Sequence, residues 1–428
     1  MRILIISYFF PPYNTIGAVR VGKTAKWLHE MGHEIKVVSA RNQPLQPTLK
    51  LEIPRENVVY TNWININALP ELVLGGRSQV AAEGFTPKGH MRNMMCDLGK
   101  LYKTVLNFPD GQIGWYPYGL REARRLLKKW KPDVIFASAM PYTSLLIARQ
   151  IAHEYHLPWV AELRDLWTDN HYYQYSGFRK HLEQNLERKV LGSANGIVTV
   201  SEPLAETLRR KYTNPIEVIL NGFDPLDYKE IKPMVCSSDD NLLIIYTGSI
   251  YEGKRDPSPL FIALTLMGNE ADNIRVEFYG RNIESVRLLV KRYGVERLVS
   301  VYPNIPYEDA LTRQKEADVL LLLLWNDLRE KGVYTGKLFE YLGAGRPILA
   351  IGSQDNVAAE LIMERSAGVV AVDPAKIAEA LKRWYAMKRE GKDFSVDSSR
   401  FTDLTRQQQT ARLADFLARV IADNKLRS

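Results

Sequence analysis

The sequence predicts an α/β protein of two similar halves, each a parallel sheet wrapped by helices. Strand-sized apolar runs alternate with helical patterns from end to end. The runs are continuously apolar, as in strands buried on both faces. The series breaks once, near the middle, at a polar stretch rich in turn formers. A chain of 428 residues suits two or three domains, because single cores rarely grow beyond about 250 residues.

In the first half the expected strands are Ile3 to Tyr8, Ile35 to Ser39, Asp133 to Ala137, Trp159 to Glu162 and Gly196 to Ser201. A Pro-Pro loop follows the first, then a helix with Val21, Ala25 and Leu28 on one face and Gly32 as its stop. In the second half they are Leu242 to Tyr246, Arg275 to Tyr279, Val299 to Tyr302, Val319 to Leu324 and Pro347 to Ile351. Between the series lie Asn221-Gly222-Phe223-Asp224-Pro225 and a segment with Pro233, Ser237, Ser238, Asp239 and Asp240. The expected division is a Rossmann-like domain over 1–222, a connection over 223–240, a second Rossmann-like domain over 241–395, and a helical end over 396–428. In that end Leu404 to Ile421 carries Leu413, Phe416, Leu417, Val420 and Ile421 on one face, which could cover either domain.

Hydrophobic residues make up 46% and charged residues 25%, the balance of a globular protein and not of a disordered one. The two cysteines, Cys96 and Cys236, supply neither a disulfide framework nor a C-x-x-C site, which fits a reducing, cytoplasmic setting. The apolar opening ends by Phe10 without a small-residue cleavage site, so it reads as a strand and not as a signal peptide. No run approaches about 18 apolar residues, so no spanning helix is expected. The net charge of +8 suits nucleic acid, an anionic membrane or a phosphorylated substrate. Nucleic acid is disfavoured, since the basic residues lack interleaved aromatics and a recognised module.

Ligands of open parallel sheets sit beyond the carboxyl ends of the strands. In the second half, Tyr246-Thr247-Gly248-Ser249 ends a strand, and Lys254 and Arg255 follow. Gly248 lets backbone approach an anion, and the two cations suit a departing diphosphate. Gly332-Val333-Tyr334-Thr335-Gly336-Lys337-Leu338-Phe339-Glu340 enters a helix whose N-terminus favours phosphate. Lys337 and Glu340, three apart, share a face and can address phosphate and ribose of one ligand. Gly343, Gly345 and Pro347 permit close packing before the next strand. Gly280, Arg281 and Asn304 follow two further strands and suit backbone contacts to a base, or form ordinary loops.

In the first half, Gly17 is expected in the loop after the first strand. Its surroundings are not G-x-G-x-x-G, which disfavours a dinucleotide oxidoreductase. Glu162-Leu163-Arg164-Asp165 ends a strand, where Asp165 could deprotonate or orient an acceptor hydroxyl, or pair with Arg164. Residues 85–107 place Met91, Met94, Met95, Leu98, Leu101, Tyr102, Val105 and Leu106 on one helical face, flanked by Lys88, Arg92, Lys100 and Lys103. A second basic helix is expected over Arg121 to Lys131. Such a surface, 85–131, suits a peripheral contact with an anionic membrane, or packing within its own domain.

Taken together, the motifs resemble the GT-B glycosyltransferases of family 4, in the branch that assembles polysaccharides. The resemblance rests on the Pro-Pro loop with Gly17, Gly32-His33-Glu34, Val200-Ser201-Glu202, Asn221-Gly222-Phe223-Asp224, Tyr246-Thr247-Gly248-Ser249, Ala317-Asp318-Val319 and Lys337-Leu338-Phe339-Glu340-Tyr341. It implies two Rossmann-like domains facing across a cleft, and retaining transfer from a nucleoside-diphosphate sugar, a UDP-sugar by preference, without an essential metal. The acceptor would be a glycan or lipid-linked saccharide. Glu340 matches the second glutamate of the family's E-x7-E motif and would bind ribose; Lys254 or Arg255 matches the diphosphate lysine. Two departures stand out: Gly332 replaces the first glutamate, and Ser249 replaces an arginine. Independently, no Asp-x-Asp triplet offers a metal-binding carboxylate pair. A nucleotide-sugar epimerase would share the architecture, yet the acids and histidines it needs are not placed here. A non-catalytic nucleotide-sugar-binding protein is the remaining alternative.

Overall fold

The computed structural model describes residues 1–68, 106–173, 175–229, 231, 241–250, 253–325 and 327–427. The expected helical face at 85–107 therefore lies outside the described residues, apart from Leu106 and Asn107. The chain forms two compact units, Met1–Ile219 with Thr410–Ser428, and Leu220–Gln409.

In the first unit the strands are β1 (Arg2–Ile6), β2 (Glu34–Ala40), β3 (Val58–Thr61), β4 (Val134–Ala139), β5 (Trp159–Leu163), β6 (Gly196–Thr199) and β7 (Ile216–Val218). Its helices are α1 (Ile16–Glu30), α2 (Tyr116–Leu127), α3 (Thr143–Tyr155), α4 (Gly177–Leu191) and α5 (Glu202–Arg209). The sheet runs β3-β2-β1-β4-β5-β6-β7, parallel throughout. Alternate residues of each strand feed opposite layers, the period-2 rule at work. Leu4, Ile6 and Val38 pack with Leu120, Leu145 and Ile151 on one face. Ile3, Ile5 and Val37 pack on the other with Val21 and Leu28 of α1.

The second unit holds β8 (Leu242–Thr247), β9 (Ile274–Gly280), β10 (Val299–Pro303), β11 (Val319–Leu323), β12 (Ile348–Ile351) and β13 (Gly368–Ala371). Its helices are α6 (Ser258–Met267), α7 (Glu284–Tyr293), α8 (Tyr307–Glu316), α9 (Gly336–Ala344), α10 (Val357–Glu364) and α11 (Pro374–Arg389). The sheet order is β10-β9-β8-β11-β12-β13, again parallel. In each sheet the strand order reverses beside the first strand, between β1 and β4 and between β8 and β11, which is where such sheets place ligands.

The final helix, α12 (Arg406–Arg427), packs on the first unit. Leu413, Phe416, Leu417 and Val420 join the layer of Ile3 and Ile5. A Cβ added to Gly196 would lie 2.6 Å from Phe416 Cζ, so the glycine makes room for that ring. Glu217 adds ion pairs to Arg412 (3.2 Å) and Arg419 (2.9 Å).

The expected strands are present, each end within two residues of its expected place. Three others, β3, β7 and β13, lie at sheet edges, where short runs carry little pattern. Phe223 and Tyr228, expected in the connection, are buried with Leu338 and Phe339 in the second unit, and Gly343 lies against both rings. The basic helix expected over 121–131 is α2, which begins at Tyr116 and ends at Leu127. Gly119, Leu120, Ala123 and Leu127 face the core, while Arg121 and Arg125 are exposed. Among the described residues no helix is long and apolar enough to cross a membrane.

Candidate functional site

The loops that leave β8 and β9 are held backbone to backbone. Gly248 N–H donates to the Tyr279 carbonyl at 2.6 Å, and Ile250 N–H to the Arg281 carbonyl at 3.2 Å. A Cβ on Gly280 would sit 2.0 Å from the Gly248 oxygen, so this approach requires glycine. Gly248 itself has φ +120°, and its missing Cβ would fall 2.2 Å from Lys337 Cε. Lys337 thus lies directly across the face of Gly248.

Lys337 belongs to the first turn of α9, whose early N–H groups lack helical partners and attract anions. Thr335 is the N-cap residue, yet its side chain makes no capping bond. Its hydroxyl oxygen is buried and has no hydrogen-bond partner among the described residues. Lys337 Nζ donates to Tyr246 Oη at 2.6 Å and lies 4.0 Å from that ring's centre. Burial pushes the Lys337 ammonium well below the usual lysine range; Arg255 pushes the same way and Glu340 opposes.

Glu340, one turn further on, accepts from Gln314 Nε2 at 3.1 Å, and the same nitrogen donates to Thr247 Oγ1 at 3.0 Å. Burial raises the Glu340 carboxyl above its usual range and Asp227 adds to this, against Gln314, Lys337 and Arg406. Gln314 is fully buried, and its Oε1 has no partner among the described residues. Buried polar groups are nearly always paired, so Thr335 and Gln314 each hold hydrogen-bonding capacity that no described residue uses. Tyr228 Oη fixes the helix by donating to the Glu340 carbonyl at 2.8 Å. The arrangement offers an anion a helix N-terminus and a lysine, and offers hydroxyl donors a carboxylate.

The other expected residues divide. Arg255 lies close enough to depress Lys337, and Lys254 Nζ stands 4.9 Å over the Trp325 ring. The Ser249 carbonyl accepts from Tyr246 Oη at 2.9 Å. Tyr334 packs against Phe339 with ring centres 5.5 Å apart, and burial, with Glu360 and Glu364, raises its phenol to about 12. Arg281 joins the loop through its carbonyl while its side chain is exposed. Asn304 is exposed and bonded locally to the Ile305 carbonyl at 3.3 Å. Gly332 is buried, and Glu330, two residues earlier, is a buried acid that the sequence reading passed over. Gln314 was likewise missed, since a lone glutamine on a charged helix carries no spacing signal; Tyr246 was read as the end of a strand, without its bond to Lys337.

In the first unit, Gly17 lies in the first turn of α1 and not in the preceding loop, because Thr15 caps the helix by accepting from Ala18 N–H at 3.0 Å. A Cβ there would meet the Arg164 guanidinium at 2.4 Å. Arg164 donates to the carbonyls of Ala139 and Met140, both at 2.8 Å, so it braces a loop end. Burial lowers its proton affinity, with Glu162 and Asp165 opposing. Asp165 is exposed just past β5. Glu162 forms a buried pair with Arg20 at 2.8 Å, a feature that the sequence did not mark.

Residues 17–225 match the family model described as Glycosyltransferase Family 4. No curated protein sequence matches the chain. Among solved structures, a sucrose-phosphate synthase from Thermosynechococcus elongatus superimposes with a TM-score of 0.64 at 13% identity, covering 99% of this chain and 100% of that one. HepE from Anabaena, in complex with UDP and glucose, gives 0.61 at 13% identity, covering 98% and 99%. A putative UDP-N-acetylglucosamine 2-epimerase from Listeria monocytogenes gives 0.56 at 13%, covering 96% and 94%. Such identities speak for the fold alone. The whole chain has the GT-B fold, and its residues 17–225 match the model of glycosyltransferase family 4.

Proposed function

We propose that this chain is a retaining glycosyltransferase that moves a sugar from a nucleoside-diphosphate sugar, UDP by preference, to a glycan or lipid-linked saccharide in cell-surface polysaccharide assembly. The observation that carries the reading is Lys337 lying across Gly248 at the entrance of α9, with Glu340 one turn along. The diphosphate would take the helix N-terminus and Lys337, and Lys254 and Arg255 would offset charge on the departing group. Glu340 would accept from ribose hydroxyls. Gly248, Ser249, Gly280, Arg281, Asn304, Tyr334, Thr335 and Gly336 would frame nucleotide and sugar, and Gly17 is proposed as a further donor-binding residue. Asp165 would orient the acceptor hydroxyl, whose proton the leaving phosphate can take. HepE in complex with UDP-glucose supports the choice of donor. The reaction needs no bound metal in this scheme, since protein cations supply the charge.

The segment 85–131 is the proposed contact with an anionic membrane on the cytoplasmic side, and co-sedimentation with acidic liposomes at low salt tests it. The second reading, an epimerase, is favoured by the Listeria neighbour. A screen of UDP-, GDP- and ADP-sugars with membrane extract, following nucleoside-diphosphate release and products, decides between them. Transfer lost in Glu340→Ala is expected. Isomerised sugar nucleotide would favour the epimerase, and absence of turnover with every donor would overturn the transferase reading.

A further inference from the structure

A cavity of about 380 Å³ opens in the first unit, lined by Pro12, Tyr13, Arg41, Leu51, Arg55 and Tyr60. The volume lies within the range of small-molecule pockets, about 300–1,000 Å³. Its walls come from the loop after β1, the residues after β2, and β3 with the turn before it. These segments are stapled together. Leu49 N–H donates to the Pro12 carbonyl at 2.9 Å, and Asn14 N–H to the Gln46 carbonyl at 3.0 Å. Asn14 Nδ2 donates to Thr48 Oγ1 at 2.9 Å, and Tyr60 Oη donates to the Pro11 carbonyl. The cavity is therefore built, not a gap between loose loops.

Its chemistry is one-sided. Arg41 donates to Asn62 Oδ1 at 2.6 Å, and Arg55 donates to the Val58 carbonyl at 2.6 Å while lying 4.7 Å from the Tyr60 ring centre. Among the described residues neither guanidinium has a carboxylate partner, and no acid lines the cavity. Of the acids next to lining residues in sequence, Glu52 is held by Lys23 and Lys26 at 2.9 and 2.7 Å, and Glu56, beside Arg55, is exposed. Burial keeps the Tyr60 phenol protonated, at about 12, with Arg55 opposing and Tyr13 adding. Two guanidinium forks select a carboxylate or phosphate. The rings of Tyr13, Tyr60 and Pro12 offer flat apolar faces to the C–H side of a pyranose.

We infer that this cavity binds an acidic saccharide, a sugar residue bearing a carboxylate or a phosphate, as part of the acceptor. The word acceptor rests on the transferase reading above; the binding itself does not.

Calorimetric titration of the full chain tests it, with glucuronate, glucose 6-phosphate, glucose and inorganic phosphate as probes, and UDP titrated in parallel. Both or one of the acidic sugars should bind, and glucose about tenfold or more weaker, the scale of one charge-assisted hydrogen bond. Preference between the two acidic sugars tells which acid the acceptor carries. Arg41→Ala and Arg55→Ala should each weaken binding about 10-fold or more, and Arg55→Lys should recover part of it. Absence of binding by both acidic sugars, equal binding of glucose, or unchanged binding in both alanine variants overturns the inference. Inorganic phosphate binding as well as the acidic sugars does so too, by reducing the cavity to a plain anion site. Acidic sugars that bind while UDP does not would remove the transferase reading and leave the cavity. UDP that binds while they do not would do the reverse.

Discussion

Lys337 lies where the side chain of residue 248 would be, with its Cε 2.2 Å from the Cβ that Gly248 lacks. Gly248→Ala should therefore fail twice over. The residue sits at φ +120°, which L side chains rarely adopt, and the methyl group would displace Lys337. A stability loss of about 1–3 kcal/mol in denaturant titrations is expected. An unchanged midpoint would mean that the lysine is placed otherwise.

Proton linkage should report Lys337 directly. Burial and Arg255 depress its proton affinity in the ligand-free protein, so the unfolded chain binds a proton that the native chain releases. Stability from this group accordingly rises with pH between its native and unfolded values. A diphosphate beside it restores the charged form. UDP titrations in buffers of different ionisation enthalpy should show proton uptake, and Lys337→Gln should abolish it.

Glu340 has the opposite sign. Its native carboxyl holds the proton more tightly than the unfolded one, so its stabilising contribution is full below the unfolded value and lost as pH rises through the native value. Glu340→Gln should melt at a higher Tm than the parent at neutral pH, with the gap closing in acid. Weakened UDP binding in the same variant would expose a carboxylate kept for function at the expense of stability.

The buried Arg20–Glu162 pair belongs to the scaffold. Burial alone would raise the Glu162 carboxyl, but Arg20 and Ser138 outweigh it, and the net shift is downward. Its contribution is present above the unfolded value and lost as pH falls through the native one. Arg20→Ala strands a carboxylate and should cost about 3–5 kcal/mol; Arg20→Met with Glu162→Leu should recover most of it.

Docking of the last helix can be measured through Phe416 and Gly196. Phe416→Ala should cost about 3–5 kcal/mol by leaving a cavity. Gly196→Ala pushes a methyl to within 2.6 Å of the same ring, so the two changes combined should cost less than their sum.

How much of this was legible follows from where the signal lies. Central strands such as Ile3 to Ile6 and Val319 to Leu323 are buried on both faces, and their unbroken apolar runs announce them. The edge strand Ile216–Val218 is only half-buried along its length and shows no such run. At the site, glycine, lysine and glutamate were visible because turns and helix entrances restrict residue type. Gln314 was not, since its role depends on Thr247 and Glu340, 67 positions before it and 26 after. Gly17 falls inside α1 because Thr15 starts the helix sooner than the Pro-Pro loop suggests. The cavity by Arg41 and Arg55 joins segments whose spacing carries no motif.

The donor-site assignment is tested most directly by calorimetric titration of UDP into the parent and Lys337→Ala proteins without added metal. UDP should bind the parent, and bind the variant at least about tenfold more weakly, as for a lost charge-assisted bond. Equal affinity of the two proteins, or no binding by the parent, would contradict it.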